Sequence, residues 1–516
     1  LSLRFEMRVV LVVTPFNLGH SWGGKSTMRE GILPSLGVGY LAAVLRQRGH
    51  EPIIIDSPAL GYGIEDAVNA ILNKRPDLVG ISCTTARAGA AYDLARALRK
   101  TKPDLTLVMG GPHVTAFHEH IPDECPEIDA LLPGEAEWTF ADYVDALAVG
   151  IDPAGLPGVD CRNRGGQWIV GPPHKPESKL DKLPLLAWDL YDPSRYRPLP
   201  SQGRYHPVAT MLTSRGCPWS RCRFCYHRSC YGHPYRRRSP EHCVEEIRWL
   251  VRDLGYREII FFDDNFCIHE KWIARFCDLI DREKLRFAWT VEGHVRTVTR
   301  SMLKRMAASG CYNIFYGIES GNQELLDLID KGYTLDRVRE AVAWAKEAGM
   351  EIRGSFILGL PMETPEMSRK TIRFACELDI DFAQFIPFHV WPGVELESFA
   401  LAHGKKVPWN DVFVAPSYVP DTYPDAETLA AMVREAYISF YFRPAYLLKS
   451  IGKLRYPWYL RRILSGGRYA LRVLLQGRKT IKKDDLYKKH DTILAESDVL
   501  RSASTKTLPQ QGSDRL

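Results

Sequence analysis

The sequence predicts an α/β protein with two consecutive parallel-sheet domains followed by a helical C-terminal region. Short apolar runs alternate with amphipathic helical patterns over residues 7–150 and again over residues 207–425. The apolar runs are continuous rather than alternating, which indicates strands buried on both faces, as in a parallel sheet covered by helices. Residues 151–206, between the two halves, are rich in proline and glycine and predict a linker.

In the first domain, five apolar runs predict strands and four amphipathic patterns predict the helices between them. The predicted strands are Arg8–Thr14, Pro52–Asp56, Leu78–Cys83, Leu105–Met109 and Ile128–Leu132. The predicted helices are Gly39–Arg48, Ile64–Asn73, Ala88–Arg99 and Glu137–Leu147. Because parallel sheets bind ligands at the carboxyl ends of their strands, the loops that follow are candidate binding loops. They are Thr14–Gly24, Cys83–Ala88, Gly110–Thr115 and Pro133–Glu137.

The linker is expected to contain little structure beyond a hairpin near Asn163–Val170. The second domain alternates six predicted strands with five predicted helices, a pattern typical of a partial (β/α)6 barrel that is open on one side. The predicted strands are Val208–Thr213, Ile259–Phe262, Phe287–Val291, Asn313–Tyr316, Ile352–Leu358 and Phe382–Ile386. The predicted helices are Glu241–Leu254, Lys271–Arg282, Ser301–Ser309, Leu335–Ala348 and Glu366–Leu378. Residues 426–495 predict a basic helical region and residues 496–516 a disordered tail.

Composition excludes several classes of protein. Of 516 residues, 45% are hydrophobic and 25% are charged, which is ordinary for a globular protein and excludes a disordered chain, a collagen or a coiled-coil rod. The net charge of +6 is small and concentrated towards the C-terminus, so we do not expect a nucleic-acid partner. No run approaches the about 18 apolar residues of a membrane helix, and no secretory leader is evident. We therefore expect a cytoplasmic protein.

Four of the twelve cysteines lie between Cys217 and Cys230, directly after the first predicted barrel strand. Barrel enzymes carry their active sites at the carboxyl ends of the strands, so this loop is placed for chemistry. Three thiolates on one tight loop can bind three irons of a 4Fe–4S cluster, which leaves the fourth iron open to another ligand. Neighbouring guanidinium groups favour thiolate over thiol, and three are present: Arg215, Arg221 and Arg223.

A zinc site is an alternative for the same loop. Cys217, Cys222 and Cys225, together with either His227 or Cys230, have a spacing that would satisfy tetrahedral zinc.

A phosphate-binding loop is an alternative for the first domain. Residues 19–26 satisfy the pattern G-x4-G-K-S after a predicted strand, although Pro34 and Gly37 interrupt the helix that a phosphate site needs. With the zinc site, this pattern would describe a P-loop NTPase that carries a zinc module.

The cysteine loop and five motifs downstream of it follow the order typical of one family. The loop opens with Arg-Gly-Cys217-Pro, and Phe224 precedes the third cysteine. The downstream motifs are Phe261–Phe266, Trp289–Arg296, Gly317–Gly321, Gly359–Thr364 and Trp391–Gly393. On these residues the chain resembles the cobalamin-binding class of the radical S-adenosylmethionine (SAM) superfamily. The resemblance implies a Rossmann-like cobalamin-binding domain over residues 7–150 and a radical SAM barrel over residues 207–425.

The family spaces its cluster cysteines as C-x3-C-x2-C, whereas four residues separate the first two cysteines here. One extra residue, Ser220 or Arg221, therefore has to bulge out of the loop. The spacing leaves two candidate triplets: Cys217, Cys222 and Cys225, or Cys222, Cys225 and Cys230. We favour the first triplet because Pro218 and Phe224 lie where the family places them.

The resemblance also implies binding residues for three cofactors. Those implied for the cluster are Cys217, Cys222 and Cys225. Those implied for SAM are Phe224, Asp264, Arg296, Glu319 and Ser320. Those implied for cobalamin are Thr14, Ser82, Gly110, Gly111, His113, Thr115, Gly134 and Glu135. His20 is not expected to bind cobalt, because Leu18 stands where the D-x-H-x-x-G motif has the aspartate that orients the imidazole.

The activity implied by the resemblance is a radical reaction at an unactivated carbon. Cleavage of SAM gives a 5′-deoxyadenosyl radical, which takes a hydrogen from the substrate, and cobalamin then donates a methyl group to the carbon radical. We favour a C-methyltransferase. The alternative is a cyclase or rearrangement enzyme of the tetrapyrrole or lipid type without net methylation. An electron donor such as flavodoxin or ferredoxin is an implied partner.

The C-terminal region from Tyr441 to Lys489 resembles the tail of relatives that act on tetrapyrroles and hopanoid lipids. A small-molecule, lipid or tetrapyrrole-like substrate is therefore expected. Basic and aromatic residues are interleaved there, which would suit a membrane surface or an anionic substrate, while a basic helical cap on the barrel is the alternative. An RNA-binding protein is a third alternative, but relatives that thiomethylate tRNA carry a small C-terminal β-barrel, which the helical pattern does not indicate.

Overall fold

We describe residues 6–15, 31–226, 235–391, 393–407, 416–453 and 459–460 of the computed structural model. Several features singled out in the sequence lie outside these residues: His20, the P-loop pattern at 19–26, His227, Cys230, most of the basic region and the tail at 496–516.

The first sheet is built on five parallel strands. They are β1 Arg8–Val13, β2 Glu51–Asp56, β3 Leu78–Ser82, β4 Thr106–Gly110 and β5 Ala130–Leu132. Strand β1 pairs with both β2 and β3, so the order is β2-β1-β3-β4-β5 and the direction of winding reverses at β1. All of β1 except Arg8 is buried, as expected of a central strand. Ligands bind such sheets at the carboxyl ends of the strands that flank the reversal.

Helices cover both faces of this sheet. The described ones are α1 Leu36–Gln47, α2 Ser57–Leu60, α3 Ile64–Asn73, α4 Ala88–Thr101, α5 Pro112–Phe117, α6 Ile121–Glu124 and α7 Glu137–Ala148. The four long helices occur where amphipathic patterns predict them. The sequence reasoning treated residues 110–115 as a loop, but residues from Pro112 onward form α5. Proline at a first helical position needs no hydrogen bond from its nitrogen, which favours a helix start there.

Residues 151–206 are more structured than the predicted linker. Two short strands, β6 Asp160–Arg162 and β7 Trp168–Ile169, extend the first sheet beyond β5 in antiparallel fashion. Downstream, the side chain of Trp188 is buried and its indole N–H donates to Glu246 at 2.7 Å. Tyr196 donates from its hydroxyl to Asp56 at 3.1 Å. This segment therefore joins the first sheet to the barrel through buried aromatic side chains.

The second sheet contains six parallel strands in the order β15-β14-β13-β12-β11-β8. They are β8 Val208–Met211, β11 Glu258–Phe261, β12 Ala288–Gly293, β13 Cys311–Glu319, β14 Glu351–Leu358 and β15 Phe382–Pro387. Two further strands, β9 Ser214–Arg215 and β10 Arg236–Arg237, pair with each other outside this sheet. The two end strands of the sheet, β8 and β15, do not pair, so the barrel is open. The predicted fold class is confirmed.

Helices alternate with the barrel strands along the outside of the sheet. They are α8 Pro240–Arg248 (continued by a π-helical turn, Trp249–Asp253), α9 Glu270–Arg282, α10 Arg300–Ala308, α11 Gln323–Leu328, α12 Leu335–Glu347 and α13 Pro365–Glu377. A serine or threonine side chain caps four of them by accepting a backbone N–H of the first turn: Ser239, Thr299, Thr334 and Thr364. Such caps satisfy donors that a helix start leaves unpaired, so these residues set where the helices begin.

The open edge at β15 is covered by the C-terminal helices. The remaining elements are α14 Glu397–Ala402, the hairpin strands β16 Gly404–Lys406 and β17 Tyr418–Pro420, α15 Ala426–Tyr441 and α16 Pro444–Lys453. The Tyr441 hydroxyl accepts from the N–H of Ala383 at 3.1 Å and donates to its carbonyl at 2.8 Å. Side chains of α15 thus pair an edge that would otherwise be free to add a strand. None of the helices in the described ranges combines the length and hydropathy of a membrane-spanning segment.

Candidate active site

The cysteine loop begins where β8 ends and is closed at its base by the β9–β10 pair. The carboxylate of Asp263, which is fully buried, accepts from the backbone N–H of Thr213 at 3.1 Å and from its hydroxyl at 2.7 Å. The neighbouring carboxylate of Asp264 accepts from the N–H of Gly216 at 3.1 Å. Two carboxylates that follow β11 therefore hold the start of the loop at the carboxyl end of the sheet.

The extra residue of the C-x4-C spacing is accommodated at Ser220. Its φ of +40° lies in the left-handed region, which non-glycine residues adopt only at a cost. The preceding residue, Trp219, donates from its indole N–H to the carbonyl of Asp330 at 2.9 Å. Its ring packs on Gly332, where a Cβ would lie 2.0 Å from the ring. The spacing singled out Ser220 or Arg221 as the bulging residue, and the left-handed one is Ser220.

The three predicted cluster ligands lie together on this loop, and each is partly exposed. A tight turn joins two of them, because the N–H of Cys225 donates to the carbonyl of Cys222 at 3.1 Å. Burial raises the pKa of the Cys222 thiol to about 12, an effect that the ammonium of Lys331 opposes. Three thiols on one loop, one of them near a cation, are a donor set that fits an iron–sulfur cluster.

The described residues do not test the zinc alternative in full, because its candidate fourth ligands, His227 and Cys230, lie outside them. Within the described ranges, no three His, Cys, Asp or Glu side chains converge closely enough to hold one ion. A zinc ion needs its ligands on a single centre, whereas a 4Fe–4S cluster binds each thiolate at a different iron.

Glu319 is the predicted SAM residue with the most distinctive geometry. It ends β13 with a φ of +65°, after a register shift between Gly317 and Glu319. Its carboxylate lies 2.7 Å from the ammonium of Lys331, and both side chains are 9% exposed. A Cβ at Gly317 would lie 2.4 Å from the carboxylate, so only glycine leaves room for the pair. The Gly-Ile-Glu-Ser motif therefore builds a buried ion pair beside the cysteine loop.

Three other predicted SAM residues border the same loop. The Lys331 ammonium lies 5.5 Å from the ring centre of Phe224. The guanidinium of Arg296 lies 4.0 Å from the ring centre of Trp219. Asp264 is exposed and bonds to the loop through Gly216.

Ser320 does not join this group through its side chain. Its hydroxyl is fully buried, lies 3.2 Å from the hydroxyl of Thr371 and accepts from the N–H of Asn322 at 3.1 Å. These bonds tie the end of β13 to α13, so the hydroxyl supports the bend at Glu319 rather than facing a ligand. The binding of SAM by Ser320 stays a prediction.

Two residues at the carboxyl end of β12, Glu292 in the strand and His294 just after it, were not selected by the sequence reasoning and also lie near the site. Burial raises the pKa of Glu292 to about 7, with Asp264 and Asp263 adding to the shift and Arg353 opposing it. Burial lowers the pKa of His294 to about 3, and Lys331 and Arg296 lower it further. The Nε2 atom of His294 is buried and meets no acceptor among the described residues. The signal in the sequence was their position inside the Trp289–Arg296 motif, at the carboxyl end of a predicted barrel strand.

In the first domain, the predicted cobalamin loops lie side by side at the carboxyl ends of the strands. The buried Thr14 donates from its hydroxyl to the carbonyl of Ser82 at 3.4 Å, across β1 and β3. The Thr115 hydroxyl donates to the carbonyl of Gly111 at 3.1 Å and accepts from the N–H of Gly134 at 3.0 Å. These bonds bring the ends of β3, β4 and β5 together as one surface.

The glycines of these loops have two different structural roles: some leave the backbone open to a ligand, and one allows two strand ends to pack closely. At Gly134 a Cβ would have no neighbour nearer than 3.9 Å, so this backbone is open to a large flat ligand. At Gly111 a Cβ would lie 2.6 Å from the carbonyl oxygen of Cys83, and φ is +110°. Gly111 is thus needed for the packing of two strand ends, and Gly134 and Gly110 keep backbone accessible.

Two predicted cobalamin residues have other partners in the structure. His113 is buried in α5, where its Nε2 lies 3.0 Å from the Tyr92 hydroxyl and its ring packs on Phe117 at 4.8 Å. The imidazole is therefore buried, and the binding of cobalamin by His113 stays a prediction. The carboxylate of Glu135 lies 2.7 Å from the guanidinium of Arg215 and is also bonded by Arg236. Glu135 therefore joins the first domain to the base of the cysteine loop.

The two halves of the site meet directly. Arg215 also reaches Glu137 at 2.5 Å, so one guanidinium bridges two carboxylates that follow β5. At the other end of the cysteine loop, the Tyr226 hydroxyl donates to the carbonyl of Pro112 at 2.6 Å. The loops at the carboxyl ends of both sheets therefore face each other across a shared boundary.

Comparison with known proteins agrees with this two-domain site. Residues 211–375 match the Radical SAM superfamily, and residues 27–144 match the B12 binding domain. The chain is 36% identical over 420 residues to the uncharacterized methyltransferase PH0819 of Pyrococcus horikoshii, which covers 81% of this chain and 90% of that relative. It is 28% identical over 453 residues to the anaerobic magnesium-protoporphyrin IX monomethyl ester cyclase of Rubrivivax gelatinosus, which covers 86% of this chain and 78% of that relative.

Two solved structures share the fold. The cobalamin-dependent S-adenosylmethionine radical enzyme OxsB with aqua-cobalamin bound has a TM-score of 0.64 at 17% identity and covers 96% of this chain and 75% of that chain. The radical S-adenosylmethionine methyltransferase TsrM from Kitasatospora setae, with cobalamin and a 4Fe–4S cluster bound, has a TM-score of 0.61 at 19% identity. That match covers 77% of this chain and 78% of TsrM.

Proposed function

This chain belongs to the cobalamin-dependent radical SAM enzymes, whose cofactors are a 4Fe–4S cluster, SAM and cobalamin, and we propose that it transfers a methyl group to an unactivated carbon of a small molecule. When bound, these groups supply a carbon-centred radical and a methyl donor. The observation that carries the proposal is the direct contact between the cysteine loop and the loops of the first domain. Arg215 forms an ion pair with Glu135, and the Tyr226 hydroxyl donates to the carbonyl of Pro112. Methyl transfer requires the methyl donor and the radical site to reach the same carbon, and adjacent loops meet that need.

We assign the residues of the site as follows. Cys217, Cys222 and Cys225 bind the cluster. SAM lies among Phe224, Asp264, Arg296 and Glu319, while Ser320 supports the backbone of Glu319. Cobalamin lies over the strand ends of the first domain, against Thr14, Ser82, Gly110, Gly111, Thr115 and Gly134, with His113 and Glu135 supporting these loops from behind. Burial of Glu319 and Lys331 favours this assignment, because charged groups kept from water hold a charged ligand more strongly.

The barrel side chains that line the site would act on ligands by charge. The carboxylates of Asp264 and Glu292 suit the positively charged groups of SAM, and the guanidinium of Arg296 suits its carboxylate. Trp219 supports Arg296, since its ring lies 4.0 Å away. These residues position the ligand beside the thiol loop, which Asp264 and Arg296 contact.

The substrate class and the electron donor are part of the proposal. A relative that acts on magnesium-protoporphyrin IX monomethyl ester and the hopanoid C-3 methylase of Methylococcus capsulatus favour a tetrapyrrole-like or lipid substrate. The electron comes from a flavodoxin or ferredoxin. The second candidate function is a cyclase or rearrangement without net methylation, which is favoured by 28% identity to the cyclase of Rubrivivax gelatinosus.

The test uses SAM that carries a trideuterated methyl group. The full chain, reconstituted anaerobically with iron, sulfide and cobalamin, is incubated with this SAM, a reductant and separate tetrapyrrole and hopanoid substrates. A product that gains one trideuteromethyl group together with 5′-deoxyadenosine supports the proposed transfer. A product altered without label supports the cyclase, and label transfer that persists in Cys217→Ala would show that the proposed cluster loop is not required.

A further inference from the structure

Lys331 is a buried cation for which the family resemblance supplied no role. Two left-handed residues flank it, Asp330 with a φ of +47° and Gly332 with a φ of +73°. These conformations turn the side chain inward, where it is 9% exposed and lies 2.7 Å from Glu319. Burial pulls the pKa of the ammonium down, but Glu319 outweighs burial and the pKa lies above its ordinary value. Lys331 is therefore permanently charged.

The turn that carries Lys331 is attached to the cysteine loop at four points, one of which is the ion pair of Arg221 with Asp330 at 3.0 Å. The backbone N–H of Arg223 donates to the carbonyl of Ile329 at 3.1 Å. The guanidinium of Arg223 donates to the carbonyl of Leu328, also at 3.1 Å. The indole of Trp219 donates to the carbonyl of Asp330 at 2.9 Å. These bonds hold the ammonium at a set position relative to the thiols.

The ammonium and its partner carboxylate both lie beside the loop that carries the thiols. The two charged groups are 2.7 Å apart, and the side chains of Lys331 and Glu319 are each 9% exposed. Phe224 belongs to the cysteine loop, and the centre of its ring lies 5.5 Å from the Lys331 ammonium. Low-polarity surroundings strengthen charge interactions, so an electron added near these thiols would interact with both members of the pair.

We propose that Lys331 sets the reduction potential of the cluster at the cysteine loop, and that Glu319 moderates its effect. The inference rests on the cluster ligands assigned under the proposed function. The step is a one-electron transfer from a flavodoxin or ferredoxin to the cluster, in which no bond forms or breaks. A fixed positive charge stabilises the reduced, more negative cluster, and nearby charge is one of the factors that tune such potentials.

The test is a redox titration of the anaerobically reconstituted full chain, followed by electron paramagnetic resonance in the absence of SAM and substrate. Lys331→Met removes the cation, so the midpoint potential shifts to more negative values. Glu319→Gln removes the opposing charge, so the potential shifts to more positive values. Structural damage alone does not give opposite shifts. The control Lys304→Met removes an exposed cation, 51% accessible and paired with Glu347, and leaves the potential unchanged.

The double variant Lys331→Met/Glu319→Gln keeps the test decisive if Lys331→Met alone loses iron, because it leaves no unpaired buried charge. Its potential lies between those of the two single variants. Unchanged potentials, or shifts in the same direction, overturn the inference, and so does weaker SAM binding at an unchanged potential, which would assign Lys331 to SAM. The measurement needs no methyl transfer, so the methyltransferase proposal can fail while this one holds. A cluster retained after replacement of all three cysteines would remove the basis of both.

Discussion

The indole of Trp219 lies so close to Gly332 that a Cβ at that position would come within 2.0 Å of the ring. The same indole donates its N–H to Asp330 and lies 4.0 Å from the guanidinium of Arg296. The four-residue spacing between the first two cluster cysteines is therefore accommodated by a glycine more than 100 residues downstream, which leaves space for the longer loop.

Replacement of Gly332 by alanine is expected to displace Trp219 and lower the iron bound by the reconstituted protein several-fold. The clash moves the ring and with it the loop that carries the cysteines. The measurement is iron and acid-labile sulfide per chain after anaerobic reconstitution. Gly349→Ala is the matched control, because its φ of +76° imposes the same backbone strain while a Cβ there meets nothing within 4 Å. Equal iron content in the two variants would contradict the expected role of Gly332.

Single alanine variants of Cys217, Cys222 and Cys225 are each expected to lose most of the bound iron and the brown absorption of the cluster. Each thiolate binds a different iron, so one replacement removes one of only three protein ligands. Cys376→Ala is the control, since that half-buried thiol lies in α13, outside the cysteine loop. Cys230→Ala separates the two candidate triplets. If Cys230→Ala loses iron while Cys217→Ala retains it, the ligands are the other candidate triplet, Cys222, Cys225 and Cys230.

The sequence predicts the fold well because the strands of both sheets are buried on both faces. A strand such as β1 must be apolar at nearly every position, and this is a local signal that a single sequence carries. Helix starts are also set by local sequence, because the side chains of Thr299 and Thr334 cap the helices that follow them. Family motifs placed the cysteine loop and Glu319 in one site because those motifs follow consecutive barrel strands.

The remaining features depend on contacts that no local pattern encodes. The ion pair of Glu135 with Arg215 joins residues 80 positions apart in different domains, so the carboxylate gave no sign of its partner. His113 looked accessible because it follows a glycine pair, and only the packing of α5 against α4 shows it to be buried. The linker composition indicated irregular structure but not the burial of Trp188 between the domains.

Glu135→Ala is expected to lower the free energy of unfolding by about 3 kcal/mol, because it leaves the largely buried guanidinium of Arg236 without its carboxylate and leaves Arg215 with Glu137 alone. Arg215 and Arg236 are 14% and 7% exposed. Denaturant unfolding of the full chain measures the change. Glu347→Ala, which breaks the exposed pair with Arg300, is the control and is expected to cost much less stability, because water and salt screen exposed pairs. Similar losses in both variants would show that the contact between domains carries little energy.

His294 is expected to make the protein less stable as the pH falls below the ordinary imidazole range. The ring packs on Tyr333 at 5.2 Å, its Nδ1 accepts from the N–H of Arg296 at 3.3 Å, and the nearby charges are Lys331 and Arg296. Burial lowers its pKa to about 3 in the folded chain, against roughly 6.5 when unfolded. Between these values only the unfolded chain binds the proton, so acid favours unfolding.

The pH-dependence is expected to be weaker in His294→Gln, which has no proton to gain. From about pH 7.5 to about pH 5, the wild-type protein should lose about 2 kcal/mol more stability than the variant, since each unit below 6.5 contributes about 1.4 kcal/mol. Denaturant unfolding at both pH values gives this double difference. The comparison near pH 7.5, where neither state binds the proton, separates any loss of packing from the titration. Parallel pH profiles would mean that the imidazole has the same pKa in the folded and unfolded chains, which would contradict the expected effect of burial and of the two nearby cations.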